Sequence, residues 1–316
     1  MSPSQSNNQN YRHFTFESED GQEIMTYTWE PSNGKAKGVV QIAHGMAEHA
    51  LRYEEFAEFL TQAGYIVYAN DHRGHGQSAL SMNDQGWLGP ERGFELLIED
   101  MAILSKKIKS EHPELPLFLF SHSMGSFATQ RFIMDYPGQV DSVILSGSNG
   151  KQGRILSLGL LVAKLESRIK GIRKKSKLLN DLSFGAYNKR FAPTRTGYDW
   201  LTRDEQAVDK YIADPYCGEV FPGGFYVEFF KTLRYIEDES NFVKIPRELP
   251  ILIVSGSQDP VGDFGKGVKE LHERYRKLGV KDLEMRLYEG ARHELLNETN
   301  KREVMQDLVT YLDARI

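Results

Sequence analysis

Three residues far apart in the sequence, Ser123, Asp259 and His293, are of the types needed to turn a hydroxyl into an attacking group. A serine is a poor nucleophile until an imidazole removes its proton. That imidazole needs a carboxylate to fix its tautomer and stabilise its charged form. Ser123 lies in "LPLFLFSHSMGSFATQRFI", residues 115–133, where a buried-strand pattern turns within five residues into a helical one. The turn nearly matches G-x-S-x-G, a sharp strand-to-helix elbow, with Ser121 where the first glycine would stand. Asp259 closes "LPILIVSGSQD" and His293 sits in "YEGARHELLNE". Asp263 is a rival carboxylate, and Asp259 is preferred because it lies nearer the strand end. An acyl-transfer site also needs donors for the oxyanion, assigned here to the backbone N–H of Met124, just after the serine, and of Met46 in "HGMAEH".

The elements that must position these residues read as a layered α/β chain. Segments near 12–17 and 23–29 alternate apolar and polar residues around Asp20-Gly21, a hairpin signal. Continuous apolar runs (GVVQIAH, YIVYAND, LPLFLFS, VDSVILSG) then alternate with amphipathic stretches at 52–63, 94–111 and 124–136. Strands apolar on both faces and separated by helices imply a mostly parallel sheet covered on both sides. Counting the hairpin gives about eight strands, with a helix near 265–278, a strand at 282–288 and a helix near 298–314 closing the chain. Ser123, Asp259 and His293 then follow the fifth, seventh and eighth strands, at the carboxyl ends where open α/β sheets gather ligands. Residues 151–245 break the rhythm and are expected to form a helical cap, because so long a loop without structure is improbable. The core is then 11–150 plus 246–316, behind a polar flexible tail at 1–10.

Composition excludes several classes. The net charge of −5 gives no general attraction to nucleic acid. One cysteine, Cys217, cannot form an internal disulfide, and no paired Cys/His spacing reads as a zinc site. The opening MSPSQSNNQN lacks the apolar core of a secretory signal, and no apolar run reaches the roughly 18 residues that cross a bilayer. A cytoplasmic location is the expectation. His44, His49, His72 and His75 are read as loop scaffolding rather than metal ligands, Asp71 and Arg73 as loop braces, and His122 as a packing residue pointing away from Ser123.

"HGMAEHALRYEEFAEFLTQAGYIVYANDHRGHGQS", "SHSMGS", "SGSQDPVGDFGKGV" and "GARHELLNE" resemble the monoacylglycerol lipase and lysophospholipase branch of the α/β-hydrolase superfamily. In the cap, "DWLTRDEQAVDKYIADPYCG" and "GGFYVEFFKTL" resemble bacterial members. The resemblance implies an α/β-hydrolase fold, with an eight-stranded sheet and a helical cap after strand 6. It implies a serine esterase with Ser123, Asp259 and His293 as triad and the Met46 and Met124 amides as oxyanion hole. It also implies an acyl pocket shaped by the cap and no cofactor. The expected substrate is a single-chain lipid ester, monoacylglycerol ahead of lysophospholipid. A general carboxylesterase, a peptidase of the same fold, or a non-catalytic binding protein are the alternatives. Ser121 departs from the family's glycine; its hydroxyl is expected to bond to nearby backbone.

The cap carries 17 Lys/Arg against 12 Asp/Glu, much of the excess in "RIKGIRKKSK", residues 168–177, just after the apolar "ILSLGLLVAKLES". This is either an amphipathic helix followed by a solvated basic turn, or an acyl-admitting face beside cations that dock on anionic lipid or receive a phosphate headgroup. Membrane contact, if any, is expected through the cap, and oligomeric state is not expressed in the sequence.

Overall fold

The computed structural model describes residues 10–32 and 34–316, so the tail expected at 1–10 lies outside the described residues apart from Asn10. β1 (Arg12–Glu17) and β2 (Glu23–Trp29) form the expected antiparallel hairpin. β3 (Gly38–Ala43), β4 (Tyr65–Asn70), β5 (Leu117–His122), β6 (Ser142–Ser146), β7 (Ile251–Gly256) and β8 (Leu283–Tyr288) complete one eight-stranded sheet. Its order is β1-β2-β4-β3-β5-β6-β7-β8. β2 runs antiparallel to β4, and every pairing from β4 through β8 is parallel. β3 to β7 bury every residue, as strands covered on both faces must, whereas β8, at the sheet edge, is mostly half-buried.

Helices α1 (Glu54–Gln62), α2 (Gly93–Glu111) and α3 (Met124–Asp135) follow β3, β4 and β5. Between β6 and β7 the chain runs through α4 (Arg154–Lys170), α5 (Lys177–Phe184), α6 (Glu205–Ala213), α7 (Gly223–Glu237) and α8 (Glu239–Phe242). α9 (Lys266–Leu278) follows β7 and α10 (Lys301–Asp313) follows β8. Apolar stripes decide which way each helix turns. Phe56 and Leu60 of α1 join Val304, Leu308 and Leu312 of α10 in one core beneath the sheet. Residues of α2, α3 and α9 fill the other face, and that core continues into the insertion through Leu156, Leu179, Phe225 and Leu233. This is the α/β-hydrolase architecture, and the insertion shares a core with it instead of standing apart.

Parallel pairing puts the carboxyl ends of β3, β5, β6, β7 and β8 at one end of the sheet. The loops there carry the candidate residues, and the insertion leaves from that end, after β6, before the chain returns to the opposite end to enter β7. No helix of the described residues is long and apolar enough to cross a membrane.

Candidate active site

Ser123 is the single residue between the end of β5 and the start of α3. Its φ of 50° and ψ of −117° lie in a region that L residues avoid, at a cost on the order of 1–3 kcal/mol. The elbow is over-determined by its neighbours. The Ser123 N–H donates to the Ser146 carbonyl at 2.9 Å, while the Ser123 carbonyl accepts from the Ser126 N–H at 2.8 Å and its hydroxyl at 2.7 Å. Gly125 is obligatory, because a Cβ there would collide with the carbonyl oxygens of Ala43 and His44. Ser121, the departure from glycine, is fully buried and its hydroxyl donates to the Ile144 carbonyl at 3.0 Å, as a buried hydroxyl must find a partner.

His293 Nδ1 lies 3.0 Å from Asp259 Oδ1, and both side chains are almost wholly buried. The carboxylate is fixed in turn by the Val261 N–H at 2.8 Å and the Ser255 hydroxyl at 3.1 Å. Burial resists ionisation of Asp259, but the charge and hydrogen bond of His293 outweigh it and hold the carboxyl below its usual range. The reciprocal holds for His293: burial disfavours the cation, and the Asp259 charge and hydrogen bond overcome this and raise its pKa. Asp263, the rival carboxylate, is exposed. The loop bearing His293 closes onto β7 because Gly256 has no side chain; a Cβ there would strike the carbonyls of Ala291 and Arg292.

His293 and Ser123 line the same cavity, with Gly45, Met46, Glu48 and His122. Among the described residues, neither the Met46 nor the Met124 N–H donates to a backbone acceptor outside regular secondary structure. Met46 borders the cavity, and Met124 opens α3, where helix amides point outward without intrahelical partners.

His122 does more than fill space away from the serine. Its ring centroid lies 4.6 Å from that of His293, and burial, reinforced by the His293 charge, pushes its pKa down to about 4. A neutral ring therefore packs against His293 at neutral pH. Trp200, from the insertion, packs on His293 as well, with centroids 5.1 Å apart.

Sequence reasoning passed over a second charged group around the site. Arg52 donates to Glu48 at 2.5 Å and, through both terminal nitrogens, to Glu294 at 2.8 and 2.7 Å. Burial opposes the Glu294 charge, yet the Arg52 guanidinium prevails and holds its pKa down to about 2. Glu48 also accepts from the Gly45 N–H at 2.5 Å and the Tyr53 hydroxyl at 2.9 Å, closing the loop that carries Met46. Neither link was readable, because Glu48 lies in the loop before α1 and Glu294 is 242 residues from Arg52.

The other histidines sit deeper. His44 Nε2 accepts from the His72 N–H at 2.9 Å, and its ring stacks near those of His72 and His75, with centroids 4.2 and 5.2 Å away. Burial, with the neighbouring imidazoles, holds His72 well below its usual value, and burial takes His44 and His75 to about 3, so all three are neutral scaffold. Asp71 accepts from the Ala50 and Gln77 N–H groups at 2.8 Å each, and Arg73 pairs with buried Asp100 at 2.8 Å. His49 pairs instead with Asp214 at 2.8 Å, across to the insertion, with Cys217 close by.

Two lobes meet at Ser123. One, of about 290 Å³, is lined by polar groups including Glu48, Asn180, Tyr198 and Glu294 as well as His293. The other, of about 340 Å³, is walled by Leu156, Val162, Leu179, Phe229, Phe230 and Leu233 and includes Met46, Ser123 and Met124. Phe229 and Phe230, in the "GGFYVEFFKTL" stretch of the insertion, thus face a cavity.

A strained serine at the elbow of a parallel sheet, beside an acid-held histidine, places the molecule among α/β-hydrolase-fold proteins. Residues 34–300 match the family described as Serine aminopeptidase, S33, and the chain belongs to that family. It is 29% identical over 305 residues to a monoglyceride lipase of Rattus norvegicus, covering 94% of this chain and 89% of that protein. It is likewise 29% identical over 298 residues to a monoacylglycerol lipase of Mycolicibacterium smegmatis, covering 94% and 95%. Among solved structures it is similar to a thermostable carboxyl esterase from Bacillus coagulans in complex with glycerol, with a TM-score of 0.88, 26% identity, and coverage of 98% and 99%.

Proposed function

We propose that this protein is a serine carboxylic ester hydrolase that cleaves a monoacylglycerol through an acyl-enzyme. Ser123 Oγ attacks the ester carbonyl carbon while His293 Nε2 takes its proton. Nδ1–H meanwhile donates to Asp259, which holds the tautomer and supports the imidazolium. The Met46 and Met124 amides receive the oxyanion. The imidazolium then protonates the departing glycerol oxygen. Water, activated by the same nitrogen, hydrolyses the acyl-serine. Every step uses protein groups and water, so the reaction calls for no cofactor.

The observation that carries this reading is the meeting of an apolar and a polar lobe at Ser123, next to the His293–Asp259 pair. An ester with one hydrocarbon chain and one small polyol divides the same way. The names of the relatives support the choice of acyl group and alcohol. An aminopeptide substrate fits less well, because an N-terminal ammonium needs an unspent carboxylate. Of the acids lining the polar lobe, Glu48 and Glu294 are bound by Arg52, Asp181 by Lys177 and Glu219 by Lys175.

Residues 151–245 are proposed to act as a cap that meets the lipid surface from which substrate is drawn. Ile155, Leu158, Leu161, Leu165 and Ile169 are 58–79% exposed and recur every three or four residues along α4, a contiguous apolar stripe. A panel of monoacylglycerols, lysophospholipids, short esters and aminoacyl amides tests the substrate, with fluorophosphonate labelling of Ser123 in parallel. Preferential cleavage of amides, or no labelling of the folded protein, would overturn it.

A further inference from the structure

Ala47, the residue after Met46, holds a φ of 55° without being glycine. A left-handed L residue costs roughly 1–2 kcal/mol, so something else must keep it there. Its carbonyl oxygen accepts two hydrogen bonds, from the Tyr211 hydroxyl at 3.0 Å and from the Gly218 N–H at 3.0 Å. Both donors come from the insertion, more than 160 residues away in sequence. Tyr211 is itself held: it is 7% exposed, and the Arg52 guanidinium lies 4.8 Å from its ring centroid. Gly218 is held through its carbonyl, which accepts from the Tyr198 hydroxyl at 3.2 Å. On the other side of Met46, Glu48 fixes the Gly45 N–H.

The peptide units flanking Met46 are thus tied down from both directions, once by the core and once by the insertion. We propose that Tyr211 is a positioning residue for catalysis: its hydroxyl, with the Gly218 amide, holds the Ala47 carbonyl so that the Met46 N–H points at the developing oxyanion. The insertion on this account completes the oxyanion hole in addition to covering the pocket. The proposal rests on the reading of Met46 as an oxyanion donor. Tyr211 touches no reacting atom; it acts through the loop.

A positioning role affects the transition state and spares the ground state. Tyr211→Phe keeps the ring and removes the hydroxyl. Loss of a whole oxyanion donor costs about 10²- to 10³-fold in kcat, so a donor left in place but loosened is expected to cost about tenfold, with KM unchanged within about twofold. Two ligands separate this from a substrate contact. A long-chain alkyl trifluoromethyl ketone forms a tetrahedral adduct whose oxyanion enters the hole. A monoalkylglycerol ether fills both lobes without one. Expected is about tenfold weaker inhibition by the ketone, in step with kcat, and unchanged affinity for the ether. Tyr198→Phe, which frees the Gly218 carbonyl, is expected to lower kcat and ketone inhibition in step with each other at smaller size, and carries the test should Tyr211→Phe fail to fold. Unchanged kcat, or equal weakening of ketone and ether, would overturn the positioning role. Wild-type protein that fluorophosphonate does not label at Ser123 would instead overturn the proposed hydrolase activity itself.

Discussion

The two halves of the insertion are built on different principles. Residues 198–218 are tied by hydrogen bonds to the loops that carry the candidate catalytic groups. The Leu201 carbonyl accepts from the Glu294 N–H at 2.7 Å, Arg292 donates to the carbonyls of Asp199 and Thr202, and Tyr211 and Gly218 grip Ala47. Arg203 adds an ion pair to buried Glu298 at 2.8 Å. α4, by contrast, rests on α7, and α4 and α5 bury Leu156, Leu160 and Leu179 while turning large aliphatic side chains outward. Directional bonds fix a geometry, whereas an apolar interface fixes only an area and tolerates sliding. One half is thus suited to holding atoms in register and the other to opening a lipid path.

The largest expected effect falls on the group both halves serve. Asp259→Asn keeps the shape but offers His293 the wrong tautomer, for which a loss on the order of 10⁴ in kcat is expected. The pH profile sharpens this. His293 must be neutral to accept the Ser123 proton, and its pKa stands above the ordinary 6.5 because the Asp259 charge and hydrogen bond outweigh burial. In the wild type, kcat/KM should therefore fall as pH drops through a midpoint above 6.5. In the Asn variant that midpoint should move to lower pH. An unmoved midpoint would detach His293 from the rate.

Next comes the exposed half. Leu161, Leu165 and Ile169 are 58–74% exposed and do not line the apolar lobe. Replacing all three by Ser should leave stability within about 0.5 kcal/mol per site and short-ester turnover unchanged. If those side chains insert into lipid, binding to vesicles should fall roughly a hundredfold, even if only part of each aliphatic burial is lost. Sedimentation with phosphatidylcholine vesicles reads this directly. Equal binding would confine the stripe to a solvated surface.

The anchored half should answer in stability. Glu298 is fully buried and accepts from the backbone N–H groups of Arg203 and Arg292 at 3.1 and 2.8 Å, besides its ion pair. Glu298→Ala strands those donors, at a cost of roughly 1–3 kcal/mol. The urea midpoint should fall with m unchanged. A change in vesicle binding without a change in midpoint would erase the distinction between the halves.

Much of this organisation was legible because it depends on short-range chemistry. β3 to β7 announced themselves as unbroken apolar runs, and Ser123, Asp259 and His293 could be placed at strand ends by type and order alone. The partners of the clamp could not. Tyr211 and Ala47 stand 164 residues apart, and no periodicity encodes a hydrogen bond between a cap side chain and a core carbonyl. His122 escaped for a related reason: its meeting with His293 depends on how the loop after β8 folds back over β6. The pairing of the basic turn at 168–177 was not legible either. The turn reads as free charge, yet Lys170, Arg173, Lys175 and Lys177 pair with Glu166, Asp84, Glu219 and Asp181.

That pairing sets the smallest effect. Arg168 and Lys174 are both exposed and have no carboxylate partner among the described residues; Arg168 lies in the last turn of α4 and Lys174 beyond it, so Lys174 is the unpaired cation of the segment that follows the helix. One lysine near an anionic surface contributes about 1 kcal/mol, screened within a Debye length. Lys174→Ala should therefore weaken binding to phosphatidylserine-containing vesicles about fivefold at physiological salt and leave phosphatidylcholine binding untouched. High salt should abolish the difference between variant and wild type. A loss as large as that of the Leu161, Leu165 and Ile169 variant would make charge, and not apolar area, the means by which the exposed half meets lipid.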